Sequence, residues 1–376
     1  MQFYEFFAGG GMVRAGLGTD WKCLFANDFD PKKGRAYAQN WGSEELFVSD
    51  VRKVKSSELP GTADLIWASF PCQDLSIAGS GAGLQGTRSG TFWPFIDLCK
   101  RLKQSGRHPK IIALENVLGT LTSNNGADFE AIIGALVTLG YRPGALVVNA
   151  SKFVPQSRPR LFVIAVQNGV PFPKFTTGLS TEWHTTALRK TVGNLSKALK
   201  DKFVWWDLPS PKKRTLDFID IVEDEPTSSN WHTPKETLKL LAMMSELNRR
   251  KVRSIQVSGV KTVGGLYKRT RLEKGKKVQR AEVRFDSIAG CLRTPGGGSS
   301  RQLILMVEGS RIRSRLLSSR ETARLMGLPD AYKLPENYNE AYHLTGDGVA
   351  VPVVRYLAEC IFEPILVGQT SKSQAA

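Results

Sequence analysis

Cysteine is scarce in this 376-residue chain: five residues, at positions 23, 72, 99, 291 and 360, with no Cys-x-x-Cys pair. An odd, scattered set supports neither a disulfide framework nor a structural zinc site, and it points to a reducing compartment. The four histidines, His108, His184, His232 and His343, are scattered too, and none is singled out as catalytic or metal-binding. No apolar run reaches the ~18 residues of a membrane span. The opening residues MQFYEFFAGGG lack the basic and long apolar regions of a secretion signal, so a cytoplasmic protein is expected. Acidic residues are outnumbered, 35 against 52 Lys and Arg, for a net charge of +17.

What is present is a globular composition, 41% hydrophobic and 23% charged. The length suggests two domains at ~150 residues each. The charge is unevenly spread. Residues 1–166 hold 18 Lys and Arg against 14 Asp and Glu, residues 167–316 hold 29 against 14, and residues 317–376 hold 5 against 7. A basic middle region of that size suits a polyanion such as nucleic acid.

The first 166 residues alternate short apolar runs (Phe3–Phe7, Cys23–Ala26, Asp64–Ala68, Ile111–Leu114, Leu161–Val166) with amphipathic stretches (Pro31–Trp41, Thr91–Lys103, Asp128–Leu139). That rhythm predicts a doubly wound α/β sheet, which binds ligands at the carboxyl ends of its strands. From about Gln167 prolines, tryptophans and basic clusters such as Lys274–Lys277 replace the pattern. Residues 168–343 are read as a second domain, with one helix over Thr233–Arg250 and a glycine-rich loop at Pro295–Ser300. The small polar tail Gly368–Ala376 is expected to fray.

The unusual residues fall at the predicted strand ends. The first strand runs into Phe7-Ala8-Gly9-Gly10-Gly11, where glycines let the backbone turn sharply and approach a ligand. Arg14 breaks the dinucleotide-binding glycine spacing. The second strand ends in Asp28-Phe29, an acid placed for ribose hydroxyls and a ring placed for adenine. Asp50-Val51 is a further adenine candidate. The fourth ends in Pro71-Cys72-Gln73, a thiol on a rigid strand end before the glycine- and serine-rich residues 76–86. That arrangement fits covalent catalysis, provided nearby charge or substrate activates the thiol. The fifth ends in Glu115-Asn116-Val117, where a carboxyl can donate a proton or hydrogen bond to a ring nitrogen, or pair with an arginine. Gln156-Ser-Arg158-Pro-Arg160 precedes the last strand. Its two arginines, at i and i+2 on extended chain, point the same way and suit a carboxylate or a carbonyl oxygen.

Together and in this order, these segments resemble the cytosine-C5 DNA methyltransferases. Two more segments match, Arg320-Glu-Thr-Ala-Arg-Leu-Met-Gly-Leu-Pro-Asp330 and Gly346-Asp-Gly-Val-Ala-Val351. The resemblance covers residues 3–166 and 286–366. It implies a Rossmann-like, S-adenosylmethionine-dependent sheet with a smaller basic target-recognition domain. The catalytic domain would span 1–167, completed by 344–369, with recognition in 168–343 and a flexible tail at 370–376.

By resemblance, Cys72 attacks C6 of a flipped-out cytosine. Glu115 contacts N3 and the amine, Arg160 holds O2, and Arg158 braces the carboxylate and loop. Phe7, Ala8, Gly9, Gly11, Asp28, Phe29, Asp50, Val51, Pro71, Phe92 and Asp347 would line the cofactor pocket. Gln73, Ser76, Gly79, Gln156, Gly296, Gly297, Gly298 and Arg301 would meet double-stranded DNA. An asymmetric two-domain clamp suits a monomer, and the sequence leaves open whether the enzyme is paired with a separately acting restriction endonuclease, works alone or comes from a phage. Glu5 stands where the family usually has Asp, Met12 where a glycine is common, and Gly346-Asp347-Gly348 replaces Gly-Asn-Ser. A tRNA methyltransferase on the same scaffold would carry a shorter insert. A decayed DNA-binding relative would have lost Pro71-Cys72 or Glu115-Asn116, and both are intact. A nicotinamide-dependent oxidoreductase is disfavoured by the glycine spacing.

Overall fold

The predicted alternation of strands and helices is present over residues 1–167. The computed structural model describes residues 1–71, 83–86, 89–172, 181–294 and 301–373. Seven strands share one sheet: β1 (Gln2–Phe6), β2 (Lys22–Asp28), β3 (Leu46–Val48), β4 (Leu65–Ala68), β5 (Ile111–Asn116), β6 (Tyr141–Asn149) and β7 (Pro159–Gln167). Their spatial order is β3-β2-β1-β4-β5-β7-β6. Neighbours run parallel except that β7 is antiparallel to both β5 and β6. Every residue of β4 and β5 is buried, as continuous apolar runs demand when helices cover both faces of a sheet. The helices are α1 (Met12–Leu17), α2 (Pro31–Trp41), α3 (Phe92–Gln104) and α4 (Ala127–Thr138). Asp30 caps α2 by accepting the Lys32 N–H at 2.8 Å, with Pro31 in the first turn.

Two strands, the short β3 and β6, were not among the runs read in the sequence. β6 contains Pro143 and Gly144, which break a strand pattern, and its position at the sheet edge tolerates both. A Cβ on Gly144 would lie 2.3 Å from the Val204 carbonyl oxygen, so glycine is needed where residues 203–206 run alongside.

The chain forms two units. The first comprises 1–149, 159–212 and 351–376, the second 150–158 and 213–350. Residues 181–212, expected in the basic second domain, therefore group with the sheet. The Val147 N–H donates to the Trp183 carbonyl at 2.8 Å, and the Val204 N–H donates to the Pro143 carbonyl at 2.9 Å. This stretch adds α5 (Thr186–Gly193) and α6 (Lys197–Lys200).

In the second unit the predicted single helix is two, α7 (Pro234–Ala242) and α8 (Glu246–Ser258). Ser245 starts α8 by accepting the Asn248 N–H, and the Met243 carbonyl accepts from the Ala281 N–H at 3.2 Å. The break is thus fixed by pairing to a strand. Four antiparallel strands follow: β8 (Thr262–Glu273), β9 (Lys276–Arg284), β10 (Leu303–Glu308) and β11 (Arg311–Leu316), in the order β11-β10-β8-β9. α9 (Ser319–Arg324) and α10 (Tyr338–Asp347) complete the unit.

The Arg320–Asp330 motif has a structural centre in Glu321. Its carboxylate accepts from Arg315 at 2.6 and 2.7 Å, from the Ser318 N–H at 2.7 Å and from the Glu223 N–H at 2.8 Å. Both charged side chains are fully buried.

The chain then returns to the first unit as α11 (Val351–Leu357), a π-helical turn (Ala358–Phe362) and α12 (Glu363–Ser373). α12 is helical through Ser373, where composition suggests a frayed tail. α11 packs on α1 so closely that a Cβ on Gly16 would sit 2.5 Å from Val354. Arg355 donates to the Leu17 carbonyl at 2.6 Å, and Trp21 Nε1 donates to Glu363 at 3.0 Å.

Candidate functional site

The carboxyl ends of β1, β2, β4 and β5 carry the sequence-predicted residues of the first unit. After β1 the backbone turns through three left-handed residues, Phe7 (φ 57°), Gly9 (φ 56°) and Gly11 (φ 75°). That conformation is uncommon for a bulky residue and marks local strain. The turn is held from below. The Gly9 N–H donates to Asp28 Oδ2 at 2.8 Å, the Gly11 N–H to the Ala8 carbonyl at 2.9 Å, and Trp41 Nε1 to the Gly10 carbonyl at 3.0 Å. A Cβ on Gly11 would lie 2.4 Å from Trp41 Nε1, whereas a Cβ on Gly9 would meet nothing within 4 Å. Gly11 therefore serves internal packing, and Gly9 presents bare backbone to open space.

Asp28 is almost fully buried. Its second oxygen accepts the Asp30 N–H at 2.8 Å, so the carboxylate bridges the glycine turn and the start of α2. Burial pushes this carboxyl up, against Lys33 and the two N–H donors. Two lone pairs are committed to backbone, and the others are available to hydroxyl donors. Phe29, the next residue, is 73% exposed. Asp50 accepts the Arg52 N–H at 2.9 Å and pairs with its guanidinium at 3.0 Å. Val51 and Phe92 are core residues, Phe92 packing on Phe70 at 5.2 Å.

Glu5 sits beneath this turn, 1% exposed. Neither of its oxygens meets a donor at full hydrogen-bonding geometry, the nearest being the backbone N–H groups that open α1. Burial drives its carboxyl up to about 8, despite the nearby Arg14 and the backbone N–H groups of Val13 and Arg14.

At the end of β5, Glu115 is buried and paired with Arg160, Nε to Oε1 at 3.1 Å. Asn116 Nδ2 donates to the Phe70 carbonyl at 3.2 Å, and its Oδ1 accepts from the Val117 N–H at 2.9 Å and from Thr120. Asn116 thus ties the ends of β4 and β5 together. It stood in the Glu115-Asn-Val117 motif, but its positioning role was not legible there. Ser89 Oγ donates to the Pro71 carbonyl at 2.9 Å. Asp128 binds the Leu84 N–H, Ser123 and Asn124. No sequence signal pointed to Asp128. Cys72, Gln73, Ser76 and Gly79 lie outside the described residues, as does the Gly296–Gly298 loop.

In the second unit Arg158 and Gln156 are buried and bound to backbone. Arg158 donates to the carbonyls of Leu292 at 3.0 Å, Gly346 at 2.9 Å and Gly348 at 2.6 Å. Gln156 donates to the Leu325 carbonyl at 2.7 Å and accepts the Leu292 N–H at 3.0 Å. The arginine beside the carboxylate is Arg160, whereas Arg158 knits together three segments of its own unit. Asp347 is exposed and accepts from the Thr294 hydroxyl. Arg301 donates to Asn339 and lies over the Tyr338 ring. Among the described residues no cluster of His, Cys, Asp and Glu could hold a metal ion.

Comparison with known proteins adds the following. A family model described as C-5 cytosine-specific DNA methylase matches residues 1–363. The chain is 26% identical to the Type II methyltransferase M.HpaII of Haemophilus parainfluenzae, over 96% of this chain and 89% of that protein. It is 25% identical to the Type II methyltransferase M.HhaI of Haemophilus parahaemolyticus, over 95% and 93%. Among solved structures, the Entamoeba histolytica methyltransferase EhMeth superposes with a TM-score of 0.62 at 14% identity, covering 98% of both chains. The S. pombe Dnmt2 methyltransferase gives 0.58 at 17%, covering 97% and 99%. At those identities the structural likeness is one of fold.

Proposed function

The chain belongs to the C-5 cytosine-specific DNA methylases, and from that premise we propose how its own residues carry out the reaction. It is an enzyme that methylates cytosine at C5 in DNA. We read S-adenosylmethionine as the methyl donor. The fit rests on the bare Gly9 backbone facing open space, the acid at the end of β2 and the exposed Phe29 ring beside it. Asp28 and Asp50 would take the ribose and adenine, and Phe29 would lie on the base. When bound there, the cofactor would supply an electrophilic methyl group from its sulfonium sulfur, the S–CH3 bond breaking to leave S-adenosylhomocysteine.

In this reading the Cys72 thiolate adds to C6 of a flipped-out cytosine, and the ring electrons move to C5. Glu115, held by Arg160, hydrogen-bonds the ring nitrogen and favours the electron-rich adduct. C5 takes the methyl group, then loses its proton to a base or water. The C6–S bond breaks, and Cys72 leaves as thiolate. The buried Glu115–Arg160 pair is the observation that carries the proposal, because it fixes a carboxyl at the end of the strand next to the one preceding Cys72. The cytosine's partner strand and flanking bases are the task of the basic second unit. We further read the chain as a monomeric Type II-like enzyme whose counterpart is a separate restriction endonuclease. A cytoplasmic location fits this reading, and no described helix is long and apolar enough to cross a membrane.

The test is Cys72→Ala in the full chain, assayed on duplex DNA with radiolabelled methyl donor and on duplexes carrying 5-fluorocytosine. The wild type should transfer methyl groups and trap a covalent adduct. The variant should do neither while still retarding DNA in a gel. Methyl transfer by Cys72→Ala would overturn the mechanism.

A further inference from the structure

The chain that leaves Cys72 rejoins the described residues at Gly83, and one buried carboxylate receives it there. Asp128 stands in the first turn of α4 and is 6% exposed. It lies outside every motif read in the sequence. Its Oδ1 accepts the Leu84 N–H at 3.2 Å. Its Oδ2 accepts from the Asn124 amide at 3.0 Å and from the Ser123 hydroxyl. Three donors and the positive end of the α4 dipole offset the cost of burying this charge. Two of those donors come from the turn Ser123–Gly126, where Asn124 and Asn125 are both left-handed (φ 47° and 57°). Asparagine tolerates that conformation singly, so two in succession mark a turn held by its surroundings.

The fit from the other side is equally close. Gly83 is left-handed (φ 58°), and a Cβ there would lie 2.2 Å from Asp128 Oδ2 and 2.3 Å from Asn124 Nδ2. The backbone passes directly over the carboxylate, and glycine is what allows it. Leu84, the next residue, is buried in the same apolar core as Phe92, Leu121 and Phe129. The Gly86 N–H then returns to the Gly83 carbonyl at 3.1 Å.

The segment is tied at its start as well. The Pro71 carbonyl accepts the hydroxyl of the fully buried Ser89 at 2.9 Å. Pro71 and Gly83 are therefore both fixed to the first unit, on either side of residues 72–82. The tie at Asp128 leads back to β5. From Glu115 and Asn116 the chain runs through the turn Leu118–Leu121, where Thr120 donates to Asn116 Oδ1, and on to Ser123 and Asp128. One polar station thus sets the exit of the Cys72 segment by reference to the strand that carries Glu115.

We propose that Asp128 is a positioning residue for methyl transfer. By fixing Gly83 and Leu84 against α4, it sets where the Cys72 segment stands relative to Glu115. Attack at C6 needs reacting atoms ~3–3.5 Å apart, and a misplacement of about 1 Å costs about 10²-fold in rate. A carboxylate resists such a displacement better than a neutral acceptor, because charge-assisted hydrogen bonds are roughly twice as strong. This role rests on Cys72 being the nucleophile. It deepens that reading by naming the residue that keeps the thiol's segment in register with the acid.

The experiment uses the full-length enzyme in single-turnover reactions with S-adenosylmethionine. The duplexes have randomised sequence around one cytosine or one 5-fluorocytosine, so that methyl transfer and the covalent adduct are both followed. Asp128→Asn keeps the shape and removes the charge. Its adduct should form at least about ten-fold more slowly than the wild type's, with affinities for duplex DNA and S-adenosylhomocysteine within about two-fold. Gly83→Ala presses on the same contact from the opposite side. It should slow the adduct at least as much, and it decides the matter if Asp128→Asn does not fold. Thr191→Val removes a neighbouring bond, Thr191 Oγ1 to the Leu121 carbonyl at 3.1 Å, and should leave the rate unchanged. A wild-type rate in Asp128→Asn overturns the assignment. So does an equal slowing in Thr191→Val, or a loss of S-adenosylhomocysteine affinity as large as the loss of rate, since either marks a general loosening of the first unit. Adduct formation by Cys72→Ala refutes the nucleophile itself, which is a separate result.

Discussion

Glu5 offers the sharpest quantitative test. Its carboxyl is raised from 4.5 to about 8, first of all by burial. The folded state therefore holds a proton that the unfolded chain releases near pH 4.5. Stability is complete below that pH and is lost as pH rises through 8. At 1.36 kcal/mol per decade, the ionised form costs the fold on the order of 5 kcal/mol by pH 9, with backbone relaxation reducing the figure. Glu5→Gln keeps the shape and removes the charge. It should match the wild type at pH 5 and be more stable by about 2–5 kcal/mol at pH 9. Native-state hydrogen exchange of the β1 and β2 amides reads the stability of the first unit alone. If wild type and variant lose protection in parallel from pH 5 to 9, Glu5 is not the source of the slope and the reasoning fails. The family's more usual Asp at this position is one methylene shorter.

Three further outcomes are expected. Glu321→Ala strips four hydrogen bonds from a fully buried pair and leaves Arg315 uncompensated. It should cost about 3–5 kcal/mol in urea unfolding, and a loss below 1 kcal/mol would show that the node relaxes. Gly11→Ala forces a Cβ against Trp41 at a left-handed φ. Affinity for S-adenosylhomocysteine, measured by calorimetry, should fall by at least about ten-fold, and an unchanged value would detach the turn from cofactor binding. Arg160→Lys loses the fixed guanidinium beside Glu115. It should lower kcat by ~10²-fold with DNA affinity intact, a split that single-turnover kinetics would resolve.

How much of this was legible in the sequence depended on whether the signal was local. The glycine turn, Asp28, Pro71 and Glu115 were visible because strand ends are punctuated by residues the strand itself would not choose. The parallel sheet was visible because β4 and β5 are continuous apolar runs. β6 was hidden by Pro143 and Gly144, whose tolerance depends on being at an edge. The break between α7 and α8 was hidden because Met243 answers to Ala281, nearly forty residues away. Trp183 and Trp206 looked like part of a basic, nucleic-acid-facing insert. They are buried side chains of the first unit, and Trp183 donates to the Leu208 carbonyl. The likeness of Arg158 and Arg160 at i and i+2 gave no hint that one would be spent on three carbonyls and the other on Glu115.

The seat of α11 on α1 has a consequence for synthesis. Gly16 and Leu17 are covered by Val354 and Arg355, more than 330 residues downstream. A ribosome delivers residues at roughly 5–20 per second, so the earliest helix waits tens of seconds for the segment that shields it. During that interval the whole second unit emerges and can fold, while α1 keeps an apolar flank in water. The nascent chain therefore has a long window before residues of α11 can cover α1.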